Sequence, residues 1–346
     1  MISVQSLLPV LALCSSVICY GQDGALGTDL DPPELEQNSS QLRLRSVSAF
    51  WENDGAFAKS YRNSDRHYTN GMKLDFAFAG PLVERLAEYV PSDFDQPRLA
   101  GGLAFSQLMF TPDDITSQDI QVDDRPYAGW LYAGLYLQRA DQRTMDHLEL
   151  DLGVVGAWSG AEEAQKFIHS VFPDNVRPNG WEHQLTNELT VNAFYERRWR
   201  TPRVEICGIQ VEAIGLASTA MGNIHINAYG GAILRAGFTL PDDFGPARLT
   251  TIRDSVSEIS PEFSLYTYAR GGTRFVGRNM LLDGNTFANS HSVDRVPFVH
   301  DVELGLVGAY GRIELSYSIT WLTDEFQGQD HGDSTGTLAL TYRHSF

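Results

Sequence analysis

Ile313-Glu314-Leu315-Ser316-Tyr317-Ser318-Ile319-Thr320-Trp321 alternates apolar and polar side chains without a break. Successive side chains of a strand point to opposite faces, so this stretch has one oily face and one polar face. The same period of two returns in Leu148, Leu150, Leu152 and Val154, set against His147, Glu149 and Asp151. It returns again in Met72, Leu74, Phe76 and Phe78, set against Lys73, Asp75 and Ala77. An amphipathic helix would repeat every three to four residues instead. Each segment runs for roughly ten residues, the length of a tilted strand that crosses a bilayer.

Twelve such segments can be drawn, starting near Arg43, His67, Leu99, Pro126, Asp146, Leu185, Pro202, Asn223, Phe263, Val296, Arg312 and Ser334. Twelve is even, as bacterial single-chain barrels require. The last segment sets Leu338, Leu340, Tyr342 and Phe346 on one face, and a terminal aromatic strand of this kind resembles the assembly signal of outer-membrane barrels. Alternation alone also fits a soluble β-sandwich with its polar face outward. The even count, Phe346 and an export-like start favour the other reading. The expected fold is therefore all-β: a transmembrane antiparallel β-barrel of about 12 strands, outer-membrane type, over residues 42–346.

Leu7 to Tyr20 form an apolar core, and Cys19-Tyr20-Gly21 before Gln22 reads as a cleavage site, so residues 1–21 are read as a signal peptide. No Lys or Arg precedes that core. Residues 22–41, acidic and proline-containing, read as a loose leader. Cys14 and Cys19 would leave with the signal segment, and Cys207 alone cannot form an internal disulfide. The chain has 346 residues, 42% hydrophobic and 20% charged, enough for one large domain or two small ones. Beyond the N-terminus no run of about 18 apolar residues exists, which excludes a transmembrane helix. The net charge of −18 argues against nucleic acid as a partner. The expected location is the bacterial outer membrane, reached through the periplasm.

An even barrel has both termini on the periplasmic side, so connections after odd strands face outward. These include Asn53–Arg66, Thr111–Arg125, Ser159–Gln184 and Asp324–Asp333. Tight turns at Ala140–Met145, Trp199–Pro202 and Gly308–Arg312 fall on the periplasmic side. Two periplasmic connections are long, Gly80–Arg98 and Pro241–Glu262, and Val83–Val90 is expected to be a small helix plugging that end.

Four unusual clusters fall at the outer rim. They are Trp51-Glu52-Asn53-Asp54, Asp65 to Gly71, Thr111 to Asp114 continuing through Asp123 to Trp130, and Gly180-Trp181-Glu182-His183 to Glu188. Ionisable residues gathered at one end of a barrel suggest a site, although charged loops are common there. Strand parity turns Asp54, Thr69, His67, Lys73 and Glu188 inward, and Asn53 outward unless a bulge re-aims it. Trp51, Tyr68, Tyr127, Trp130 and Trp181 suit an aromatic girdle. Two inward carboxylates, Asp54 and Glu188, with amide and hydroxyl oxygens beside them make a hard-cation site of the Ca²⁺ type. A cation beside His183 supplies the parts for ester hydrolysis: the His takes a proton from water, and the cation polarises the carbonyl. No Gly-x-Ser-x-Gly elbow is present.

These clusters resemble those of the lipid A 3′-O-deacylase family of outer-membrane barrels. Asn53-Asp54, Tyr68-Thr69-Asn70-Gly71, Pro126 to Trp130 and Gly180-Trp181 to Glu188 carry the resemblance, which spans about Phe50 to Phe346. It implies a twelve-stranded barrel that removes the ester-linked 3′ acyl group from lipid A, using Ca²⁺ and a catalytic His. It would place Asn53, Asp54 and Thr69 in the site, with Glu188 assisting the cation or the His. Two departures stand out. Parity directs Glu182 rather than His183 toward the lumen, so either could hold the position of the family's His. The family's third-strand Lys has no counterpart between Lys73 and Lys166, leaving Lys73 as the candidate substitute. The sequence reading is thus a monomeric outer-leaflet lipid hydrolase acting on lipid A of the lipopolysaccharide. A non-catalytic lipid-binding or scaffold barrel and a small pore stand as alternatives.

Overall fold

A computed structural model describes residues 42–54, 66–171, 177–246, 248–249, 254–257 and 262–344. The expected signal peptide 1–21, the leader 22–41 and Phe346 lie outside these residues. The strands are β1 (Arg43–Asn53), β2 (His67–Ala79), β3 (Arg98–Thr111), β4 (Ala128–Ala140), β5 (Thr144–Val155), β6 (Glu188–Arg200), β7 (Val204–Ile206), β8 (Ile209–Gly222), β9 (His225–Phe238), β10 (Ser264–Asn279), β11 (Phe298–Tyr310), β12 (Ile313–Leu322) and β13 (Ser334–Arg343). Helices are α1 (Pro81–Glu88), α2 (Ala161–Val171) and α3 (Met280–Asp283). All pairings are antiparallel. β1 pairs with β13 and β6 with β8, which closes a barrel of twelve strands and leaves β7 as a short ribbon on β8.

The seventh barrel strand begins at Ile209, later than the expected Pro202. Cys207 and Gly208 have φ of 52° and 78°, the two left-handed positions of a two-residue hairpin turn, so the chain folds back there before joining the barrel. The other eleven strands start within three residues of expectation.

The barrel is inside-out relative to a soluble protein. Leu150 is 42% exposed whereas its neighbour Asp151 is 7% exposed. Met72 and Leu74 are likewise exposed, and the alternating Lys73 and Asp75 are buried. A soluble sandwich would show the reverse, so the oily band faces lipid and the polar residues line the lumen. Turns at one end are short, such as 141–143 and 311–312, and this is the periplasmic end. The other end carries 112–127, 156–187, 280–297 and 323–333.

The described residues of the connection between β9 and β10 fill much of the lumen. Phe244, Leu249 and Val256 are fully buried. Arg198 Nη1 donates to the Phe244 carbonyl at 2.8 Å, and Ser255 N donates to Gln138 Oε1 at 2.8 Å. Arg248 pairs with Asp301 and Glu303 on β11. Leu249 N donates to Glu52 Oε1 at 3.1 Å, near the outer end of β1. The plug therefore climbs from the periplasmic mouth to the outer rim. Above it, Leu249 joins Phe50, Leu108, Phe110, Trp130 and Tyr132 in an apolar cap.

Helix α1 is not the plug. Val83 packs where a Cβ on Gly101 would stand, 3.2 Å away, and Gly101 shares its face of β3 with the exposed Phe105. The helix therefore docks on the outside of the wall. Its charged Glu84, Arg85 and Glu88 are exposed, and the mouth it was expected to close is already occupied by the β9–β10 connection.

Candidate functional site at the outer rim

The outer ends of β1 and β2 bring Asn53, Asp54 and Thr69 together. Asn53 Nδ2 donates to the Thr69 carbonyl at 2.9 Å. Asp54 N reaches the same carbonyl at 3.5 Å, and Asp54 Oδ2 accepts from Arg66 N at 2.7 Å. Asp54 and Thr69 are both buried.

A β-bulge at Thr69 decides which way these side chains point. Tyr68 pairs with Phe110 and Asn70 with Met109, so Thr69 is the extra residue. A bulge reverses side-chain alternation beyond it. Tyr68 turns into the lumen and donates to Glu52 Oε2 at 2.8 Å, filling the space a Cβ on Gly71 would need. Thr69 turns the other way and meets Thr111 Oγ1 at 2.8 Å. Thr111 lies on the Met109 side of β3, and Met109 packs with Tyr127, Ala161 and Trp181. That is the outer side of the wall, roofed by α2 and the turn Trp181–His183. Several expectations change. Thr69 does not share the lumen with Lys73, and Tyr68 is not a girdle residue. Trp130, which stacks on Tyr132 at 4.1 Å, and the buried Tyr127 and Trp181 are not girdle residues either.

His67 is buried at the same rim. Its Nδ1 lies 2.8 Å from Asp333 and its Nε2 3.5 Å from Asp124. Gln329 and the edge of Phe326 complete its surroundings. With a carboxylate facing each ring nitrogen, His67 ties the 112–127 and 323–333 loops together. Asp124 sits outside the strands, and its carboxyl titrates below the usual range. Burial pushes it up, but His67 and the backbone N–H groups of Asp113 and Arg125 more than offset that.

His183 stands on the outer turn, partly exposed, with Nε2 2.9 Å from the Gln118 carbonyl. Glu182 is exposed beside it, at 3.5 Å from the same nitrogen. A carbonyl only accepts, so Nε2 carries the proton and, in the neutral ring, Nδ1 is the acceptor. Neither residue turns into the lumen, so the parity argument for Glu182 does not hold on this irregular turn.

Two sequence candidates lie away from the β1–β2 rim. Lys73 is buried in the lumen beside Tyr132, Glu149 and Asp151, around a cavity of 210 Å³. Glu188 heads β6, where it accepts from Asn223 Nδ2 at 3.1 Å, Asn285 Nδ2 at 3.1 Å and Thr286 N at 2.9 Å. It fastens the β10–β11 loop. Five strand spacings separate β1 from β6, about 24 Å along the wall. Asp54 and Glu188 therefore do not fit a shared Ca²⁺. Among the described residues no group of three or more His, Cys, Asp or Glu gathers as a metal cage.

Sequence reasoning placed Thr111 in a rim cluster without a role and missed Gln329 and Asp333 as partners of His67. The period-2 pattern carries no information about loops that fold over a rim. The stretch Gln329-Asp330-His331-Gly332-Asp333, polar throughout, was the available hint.

No curated protein sequence matches the chain. Among solved structures, LpxR from Salmonella typhimurium superposes with a TM-score of 0.70 at 20% identity, covering 86% of this chain and 100% of that chain. The β domain of the Bordetella autotransporter BrkA superposes with a TM-score of 0.44 at 12% identity, covering 88% of this chain and 100% of that one. The family model described as outer membrane protein LpxR matches residues 9–344. With a match that runs through every strand, the chain belongs to the LpxR family of outer-membrane β-barrels.

Proposed function

We propose that the protein is an outer-leaflet lipid hydrolase that cleaves an ester-linked acyl chain from lipid A, at the 3′ position implied by the family resemblance. One observation carries this reading. The bulge at Thr69 puts the Asn53–Thr69–Thr111 cluster on the outer side of the wall, beneath α2, where a lipid arrives laterally from the membrane rather than through the lumen. His183 is the candidate base. Its Nε2 proton is engaged by the Gln118 carbonyl, which leaves Nδ1 able to accept a proton from water. Asn53 and Thr69 would hold the ester and the sugar hydroxyls. Asp54 would act as a positioning residue through Arg66. Asp54 and Glu188 do not fit one cation, so the water attack rests on His183 and the groups around it.

The mass of lipid A from cells with and without the expressed barrel tests the reaction. Loss of one acyl chain is expected, and His183→Ala should lower turnover by about 10²–10⁴, the usual share of a general base. Unchanged activity in His183→Ala together with loss in Glu182→Gln would assign the proton transfer to Glu182. Lys73 in the lumen and Glu188 on the far wall favour a second reading, a barrel that holds the lipid without cleaving it. Unchanged lipid A mass alongside retained lipid binding would establish that one.

A further inference from the structure

The connection between β2 and β3 runs along the outside of the barrel at its periplasmic end, fixed by charged residues on the lipid-facing side of the wall. Arg139 is the last such residue of β4, on the face of Leu131 and Leu135, and its Nη1 donates to the carbonyls of Val90 and Pro91, each at 2.9 Å. Asp146 of β5 shares its face with Leu148 and Leu150, and Arg197 of β6 shares its face with Leu189 and Val191. Arg197 Nε bonds Asp146 at 2.6 Å, and its Nη2 bonds Asp93 at 2.9 Å. The same guanidinium lies over the Phe94 ring, 5.7 Å from its centre. Charges on the lipid face of a barrel are costly when bare. Here the strap from Val90 to Phe94 covers and pairs them, and Arg139 and Asp146 are buried. A groove of 410 Å³ opens between this strap and the wall, with Leu137, Leu148 and Tyr195 on its apolar side.

Helix α1 leads into the strap. Val83 is its docking residue, set against Gly101 on the outer side of β3. Leu82, Leu86 and Tyr89 are spaced as one helical stripe, and all three are exposed, Tyr89 by 81%. At about 100° per residue this stripe lies roughly a quarter-turn from Val83, while Glu84 and Glu88 lie on the opposite side. A helix held against the wall at Val83 thus has one oily flank and one acidic flank. The oily flank continues the lipid belt of Phe105 and Leu135 toward the periplasm, and inner-leaflet phospholipid is the medium that belt already contacts.

We propose that α1 and the strap form a platform in the inner leaflet of the outer membrane. The helix lies in the plane of the interface with Leu82, Leu86 and Tyr89 among phospholipid acyl chains and Glu84 and Glu88 in the periplasm. The groove beneath the strap receives part of an acyl chain against Leu137 and Leu148.

The test uses the full chain with Cys14, Cys19 and Cys207 changed to serine, refolded into bilayers of phosphatidylethanolamine and phosphatidylglycerol. A nitroxide is attached at Leu82→Cys, Leu86→Cys, Tyr89→Cys, Glu84→Cys or Glu88→Cys. Folding of each variant is checked by heat-dependent gel mobility. The first three sites should collide with oxygen and be shielded from a water-soluble nickel chelate, with an oxygen-to-nickel ratio several-fold above that of the last two. Adding Leu86→Glu to the Tyr89→Cys chain should open that site to nickel. Five sites equally open to nickel would mean that the helix hangs free in the periplasm or awaits a soluble partner, and would overturn the proposal.

Discussion

At the residue scale, Asp124 carries the clearest pH signature. Its carboxyl sits below the usual range while the 112–127 loop is docked, because His67 and two backbone N–H groups bond its charged form. A group whose docked pKa is depressed favours the docked state above its ordinary value, about 3.9, and loses that effect as pH falls through the depressed one. Arg66, which approaches both Asp113 and Asp333, and Arg125, paired with Glu325, belong to the same latch. Acidification below about pH 4 should therefore release the loop while the barrel stays closed. Limited proteolysis between residues 112 and 127 reads this directly. Asp124→Asn should show the released pattern already at neutral pH, and a cleavage pattern independent of pH would refute the latch. The carboxylates themselves were visible in the sequence as the cluster Asp123-Asp124-Arg125. Their partners across the rim were not, because His67 and Asp333 are 266 positions apart and only barrel closure makes them neighbours.

At the scale of the element, alternation predicts a face for every strand residue, and β5 tests it. Leu150→Arg puts a charge into lipid near mid-strand and should cost about 2–4 kcal/mol of stability in urea titrations of the barrel in bilayers. Asp151→Asn keeps a polar group in a polar lumen and should cost much less. Similar costs at the two positions would reverse the assignment of faces. The strands were legible because a period of two is written into each one locally. The bulge at Thr69 was not, because one inserted residue leaves the composition of β2 unchanged while flipping Tyr68 and Thr69 to opposite sides of the wall. Helix α1 was expected close to where it lies, but its side of the wall fails to read from sequence for a related reason. Its hydrophobic stripe announces a surface but does not say on which side of the wall that surface lies.

At the scale of the whole molecule, the lumen is a packed interior. Arg198 and Arg270 of the wall grip the β9–β10 connection by its carbonyls, and Arg248 within the connection pairs with carboxylates of β11. The barrel in a planar bilayer should conduct no steady ionic current, and replacing residues 240–257 with a short glycine linker should open discrete conductance steps. Steady conductance from the unaltered chain would revive the pore reading. The plug also bonds the seam where the barrel closes. Arg45 of β1 donates to the Val256 carbonyl, Leu249 N donates to Glu52 Oε1 of β1, and Thr337 of β13 donates to that same carboxylate oxygen. The first strand made and the last one thus meet around a segment from the middle of the chain. Those bonds need the plug and the outer wall in place together. The seam and its filling therefore support one another: the cork tightens the very joint that holds it.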